Sequence, residues 1–118
     1  MRMIIDTGPI VALLNSRDAH HEWAKEVLEE VEPPLVTCEA VLSEACFLVR
    51  KLKGGPDAVL ELVSRGVIEI PFRMDTEIEA VRRLMSRYSS AEIKLKDLMN
   101  LKVGDVIPLR GTIYPGTW

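Results

Sequence analysis

The chain has 118 residues, 47% of them apolar and 5% aromatic, with a formal net charge of −3. That length suits one domain with a real core and is too short for two ordinary ones, so neither a structural metal nor disulfides are needed to fold it. The apolar content and the 28% charged fraction exclude a disordered chain. No stretch approaches the roughly 20 apolar residues that span a bilayer, and Asp6 comes too early for a signal-peptide core, so a soluble, cytoplasmic protein without a membrane partner is expected.

Met3-Ile4-Ile5 is a short apolar run closed by Asp6-Thr7-Gly8-Pro9, the pattern of a buried strand and a sharp turn. Ile10–Leu14 reads as a short apolar helix with Pro9 in its first turn. Asp18 is placed to cap a second helix whose apolar stripe is Trp23, Ala24, Val27, Leu28 and Val31, ended by Pro33-Pro34. Leu35-Val36-Thr37 is a second strand, leading into a helix from Glu39 to Lys53 closed by Gly54-Gly55. Pro56–Arg65 reads as a helix, Val67–Ile70 as a third strand, and Asp75–Tyr88 as an amphipathic helix with Ile78, Val81, Leu84, Met85 and Tyr88 on one face. Beyond Ser90 the pattern changes, and the last eight residues, Gly111 to Trp118, read as a loop. Strands alternating with helices predict an α/β domain with a mainly parallel central sheet, in which function gathers at the carboxyl ends of the strands.

Charge is unevenly spread: residues 1–59 hold 6 basic and 10 acidic side chains, residues 60–118 hold 9 and 8. Arg82, Arg83 and Arg87 would suit an RNA backbone, although three arginines on the outer side of an amphipathic helix are also ordinary solvated residues. Cys38 and Cys46 form no CxxC or metal-ligand spacing and read as reduced, buried small hydrophobes. His20 and His21 are adjacent, so on a helix their side chains diverge by about 100°; they read as surface residues at a helix start.

Two acids stand in unusual places. Asp6 follows directly on a buried strand, as a turn or cap residue or as a functional carboxylate. Glu44 is the only charge between Ala40 and Val49 and lies about 40° from Leu48 on the helical wheel, at the edge of the apolar stripe. An unpaired carboxylate there would be costly, so it reaches solvent or a basic group such as Lys51, or it lines a cleft. Carboxylates about 4 Å apart repel by roughly 4 kcal/mol at an effective dielectric near 20, which a divalent cation relieves. Oxygen-only ligands select Mg²⁺ or Mn²⁺, and such an ion activates water and neutralises charge on a phosphodiester. Thr7 and Thr37, at strand ends, either cap helices or orient a ligand.

The segments Met3–Leu14, Asp18–Ala24 and Leu35–Ala45, in this order, resemble PIN-domain ribonucleases, particularly the VapC-type toxins of toxin–antitoxin pairs. The resemblance covers about residues 1–90. It implies a three-layer PIN-like α/β fold and a Mg²⁺- or Mn²⁺-dependent endoribonuclease acting on RNA. Asp6 matches the family's first acid, Glu44 its second and, by register, Asp97 its third, all three as catalytic and metal-binding residues; Thr7, Arg82, Arg83 and Arg87 are read toward the substrate from their own chemistry. It further implies a homodimer and a small antitoxin partner. Leu98-Met99-Asn100 departs from the Ala-rich helix that follows the third acid in the family, and no acid follows Asp105. Residues 93–109 are instead similar to a β-rich segment of flagellar motor-switch and type III secretion ring proteins. The expected organisation is thus a core over 1–90 and an atypical C-terminal segment over 91–118 that either completes the domain or leaves it truncated. The alternative function is a catalytically incomplete PIN-like module acting through protein–protein contacts.

Overall fold

The computed structural model describes residues 2–87 and 109–113 and opens with strand β1 (Arg2–Ile5). Ile4 and Ile5 are both buried. Consecutive buried residues mean that both faces of the strand are covered, as in a parallel sheet packed between helices. Helix α1 (Thr7–Leu14) begins three residues before the expected Ile10, because Asp6 is extended (φ −97°, ψ 177°) and its carboxylate accepts the Thr7 N–H. Pro9 then falls in the first turn, where its missing N–H costs nothing.

Asp18 does not cap helix α2 (His21–Glu30). Its N–H donates to the Asn15 carbonyl at 3.0 Å, its own carbonyl accepts the His21 N–H at 3.1 Å, and its Oδ1 accepts the His20 N–H at 2.8 Å. Asp18 therefore organises the turns ahead of the helix. Of the two histidines only His20 is exposed; His21 is half-buried and donates from Nδ1 to the Ala12 carbonyl at 2.7 Å, tying α2 to α1. The α2 stripe faces inward as expected, with Ala24 buried and Trp23, Val27, Leu28 and Val31 packed against the core.

Strand β2 (Leu35–Val36) leads to helix α3 (Glu39–Leu48), which stops well short of Lys53. Past Leu48 the N–H of Arg50 reaches the Phe47 carbonyl at 3.2 Å and that of Leu52 the Val49 carbonyl at 3.0 Å. These tight i→i+3 bonds replace the helical ones and fold Val49 fully into the core. Gly54, at φ 70°, adopts the left-handed conformation and precedes helix α4 (Gly55–Ser64). A Cβ on Gly55 would overlap the Val49 carbonyl oxygen and lie 3.1 Å from Val49 Cβ, so the α3–α4 corner closes only over a residue without a side chain.

Strand β3 is confined to Ile68–Glu69, and helix α5 spans Ile78–Arg87 rather than starting at Asp75. Of the expected inner face of α5, Val81 is buried and Leu84 half-buried. Ile78 and Met85 are 39% and 41% exposed, and Tyr88 lies outside the described residues. Strand β4 (Leu109–Ile113) pairs in parallel with β1, with Ile4 opposite Thr112 and Ile5 opposite Ile113. The expected loop from Gly111 onward is therefore strand through Ile113. Glycine and proline in this stretch weighed against a strand, but the open backbone edge of β1 and the β-branched pair Thr112-Ile113 decide for one.

Among the described residues the three strand pairings are all parallel, in the order β3-β2-β1-β4. Helices α1 and α2 carry the chain from β1 to β2, and α3 and α4 from β2 to β3. The core joins Ile4, Ile5, Leu35, Val36 and Ile68 of the sheet to Ile10, Val41, Ala45, Val59 and Val81 of the helices. Among the described residues no helix is long and apolar enough to cross a membrane. With the strands parallel, Asp6, Thr37 and Ile70 all emerge at one edge of the sheet.

Candidate acidic site at the carboxyl edge of the sheet

Thr7 joins the two unusual acids. It is 3% exposed. Its N–H donates to Asp6 Oδ1 at 2.7 Å and its Oγ1 donates to Glu44 Oε2 at 3.4 Å. Because β1 and β2 are neighbours, the helices that leave their carboxyl ends run side by side, and the second turn of α3 passes the first turn of α1. Glu44 is half-buried there, between the buried Leu42 and Ala45. The contact to Thr7 is long for a hydroxyl donor, so it aligns the carboxylate more than it stabilises the fold. Lys51 is exposed in the turns beyond α3 and is not on the same helix as Glu44.

The register that sets Ile4 opposite Val36 brings Asp6 level with Cys38. Cys38 is buried, whereas Cys46 is half-buried. Burial pushes the Cys38 thiol up from its ordinary pKa, and the neighbouring Asp6 charge pushes it further, against the opposing backbone N–H groups of Val41 and Ala40. The thiol therefore stays protonated near neutral pH and is no soft metal ligand. What remains around Asp6 is a set of oxygens, suited to a hard divalent ion. Thr37, fully buried, donates its N–H to the Glu69 carbonyl at 3.1 Å, while its Oγ1 has no hydrogen-bond partner among the described residues. An unmet buried hydroxyl costs about 1–3 kcal/mol, so this oxygen at the end of β2 has capacity to spare.

Two acids, Asp6 and Glu44, thus meet at one threonine. Asp97 lies outside the described residues, among which no group of three or more His, Cys, Asp or Glu side chains is placed to hold a metal. Arg82, Arg83 and Arg87 are exposed on α5. Arg82 is engaged with Glu79 at 3.0 Å, and neither Arg83 nor Arg87 forms an ion pair with a described residue.

A second feature of this edge escaped the sequence reading. A cleft of about 480 Å³ is lined by Glu39, Ile70, Phe72, Arg73, Met74 and Asp75. Arg73 donates from Nε and Nη2 to the two oxygens of Asp75 at 3.2 and 2.9 Å. That guanidinium holds the Asp75 carboxyl below the usual carboxylate range, and Asp75, with a smaller contribution from Glu39, raises Arg73 further. The available signal was Phe72-Arg73-Met74-Asp75, charges alternating with large apolar residues just past a strand end.

A family model for the PIN domain matches residues 3–105. Ribonuclease VapC26 of Mycobacterium tuberculosis is 28% identical over 105 residues, which cover 87% of this chain and 78% of that protein. The fold is similar to the crystal structure of Mycobacterium tuberculosis VapC20, described as a sarcin–ricin loop cleaving toxin. The TM-score is 0.76 at 22% identity, over 98% of this chain and 91% of that one. The family match runs through both Asp97 and Asp105, into the segment that departs from the family's usual sequence.

Proposed function

The chain belongs to the PIN-domain family, and from that premise we propose that it is a divalent-metal-dependent endoribonuclease of the VapC toxin type. The observation that carries the reading is the convergence of Asp6 and Glu44 on Thr7 at the carboxyl edge of the sheet. The similarity to a protein named ribonuclease and to a toxin named for cleaving the sarcin–ricin loop supports it. Asp6 and Glu44, with Asp97 as third acid, would hold Mg²⁺ or Mn²⁺, and the oxygen-only donor set around Asp6 fits such an ion. When bound, the ion supplies activation of a water for in-line attack on an RNA phosphodiester and neutralises the charge that develops there.

The chain's own residues do the rest. Thr7 orients the two carboxylates toward one another, with its backbone N–H on Asp6 and its hydroxyl, at 3.4 Å, on Glu44. Cys38 stays neutral and adds no charge beside them. Arg82, Arg83 and Arg87 lie on the exposed face of α5 to meet the substrate backbone. No side chain is required as a nucleophile, so hydrolysis proceeds without a covalent enzyme intermediate. The same reading includes a homodimer, a small antitoxin that covers the acidic cleft, a cytoplasmic location, and a segment 91–118 that completes the domain of residues 1–90.

Incubation of the purified protein with a structured RNA and Mg²⁺ tests this. Cleavage that stops in EDTA and falls to background in Glu44→Gln is expected. Cleavage that persists equally in EDTA and in the variant would overturn the proposal.

A further inference from the structure

We infer that the cleft between the start of α3 and the segment joining β3 to α5 is a nucleobase subsite that reads a guanine next to the scissile phosphate. This rests on the ribonuclease reading above and names the nucleotide that the acidic site would act beside.

Placement comes first. The Leu35 N–H to the Val67 carbonyl at 2.8 Å, and the Thr37 N–H to the Glu69 carbonyl at 3.1 Å, lock β3 against β2. Residues just past β3 consequently emerge beside Glu39, the first residue of α3, on the edge that carries Asp6 and Glu44. Glu39 precedes Glu44 by five positions on one helix, about 7.5 Å along its axis and about 140° around it, so the cleft is a site separate from the Glu44 side of the helix. Asp6 lies level with Cys38 across the β1–β2 pairing, and Glu39 is the next residue, so the cleft opens beside the Asp6 end of the acidic site.

Its chemistry suits a base more than a phosphate. The cleft's apolar part is formed by the half-buried Ile70 and Met74 over the buried Phe72. At about 480 Å³ it falls within the roughly 300–1,000 Å³ of small-molecule sites. Two carboxylates and one guanidinium form the rim, which is acidic in sum and repels a phosphate. Unstacked RNA bases are bound in this way, by apolar contact to their faces and hydrogen bonds to their edges.

The rim selects among the bases. Glu39 is exposed and near enough to Arg73 for their charges to interact, without a direct hydrogen bond or ion pair to a described residue, so its oxygens can accept N–H donors. Guanine alone among the four bases offers two adjacent donors, N1–H and the 2-amino group, to a single carboxylate. Arg73 is clamped by Asp75 through Nε and Nη2, which orders its fork and leaves the remaining N–H groups for acceptors such as guanine O6 and N7.

Digestion of a pool of RNAs with a randomised loop, followed by sequencing of the ends, tests the subsite. Guanine enriched roughly tenfold to a hundredfold at one position beside the cut is expected for the wild type, the range of a good bidentate contact. The enrichment, read as the ratio of guanine to the other bases at that position, should vanish in Glu39→Gln and Arg73→Ala while the melting temperature holds. A wild type without base preference, or a preference unchanged in both variants, overturns the subsite. If the wild type cleaves nothing, the ribonuclease reading fails on its own. The subsite is then judged by fluorescence anisotropy of labelled RNA hexamers holding one guanosine or, in its place, inosine, which lacks the 2-amino group. Tighter binding of the guanosine hexamer upholds it and equal binding overturns it.

Discussion

Asp6 has two jobs in this account, capping α1 and supplying charge to the acidic site, and two substitutions separate them. Its carboxylate accepts the Thr7 N–H at 2.7 Å. Such caps are worth about 0.5–2 kcal/mol against alanine, whereas asparagine caps about as well as aspartate. The bond goes to the first N–H of the helix rather than the second or third, so the lower half of that range applies, about 1 kcal/mol. For a domain of about this size, 1 kcal/mol corresponds to about 3–5 °C in melting temperature. Asp6→Ala should therefore melt about 3–5 °C below the wild type in metal-free buffer. Asp6→Asn should melt at or slightly above the wild type, because it keeps the cap and removes a negative charge near Glu44. RNA cleavage should be lost in both. Circular-dichroism melts beside a cleavage assay give the two readouts. An asparagine variant as unstable as the alanine one would show that the charge holds the fold, and one that cleaves at the wild-type rate would refute the site assignment.

Gly55→Ala should destabilise by about 1–3 kcal/mol in a urea titration, the usual cost of overpacking, since its Cβ meets the Val49 backbone; an unchanged midpoint would mean that the α3–α4 corner yields freely. Cys38 should resist iodoacetamide at pH 8 in the native protein and react in urea, while the half-buried Cys46 reacts sooner; mass spectrometry locates the label, and rapid native labelling of Cys38 would contradict its raised pKa and burial. Thr7→Val should leave the melting temperature within about 3 °C, as expected for loss of one long hydrogen bond, yet reduce cleavage, with Thr7→Ser restoring much of it; full activity in Thr7→Val would remove the threonine from the site.

The sequence was most legible where burial dictates residue type. Met3-Ile4-Ile5 and Leu35-Val36 are strands because both faces of a parallel sheet are covered, and the Trp23–Val31 stripe follows helical spacing. Glu44 stood out because a lone carboxylate in an apolar helix needs a reason. Misread points were settled by local hydrogen bonds that periodicity does not encode. Asp6 starts α1 before the apolar run, Asp18 bonds within a turn instead of capping, and tight bonds after Phe47 end α3 early. The apolar face expected of the amphipathic α5 is only partly covered, with Val81 buried but Ile78 and Met85 substantially exposed. β4 was hidden because its partner, the edge of β1, is far away in the chain. The cleft at Glu39 and Arg73 was unreadable for the same reason, since Glu39 and the segment from Ile70 to Asp75 meet only through β2–β3 pairing. Asp97, matched by register, lies outside the described residues.

The central claim is that Asp6 and Glu44 form a divalent-metal site around Thr7, and a metal titration read by melting temperature tests it most directly. A ligand bound only to the folded state stabilises it by about 2.7 kcal/mol at 100 times its Kd, a rise of several degrees in a domain of this size. Mg²⁺ or Mn²⁺ should raise the melting temperature of the wild type in this saturating way and leave Asp6→Asn and Glu44→Gln unmoved. An equal rise in all three proteins, or none in the wild type, would contradict the account.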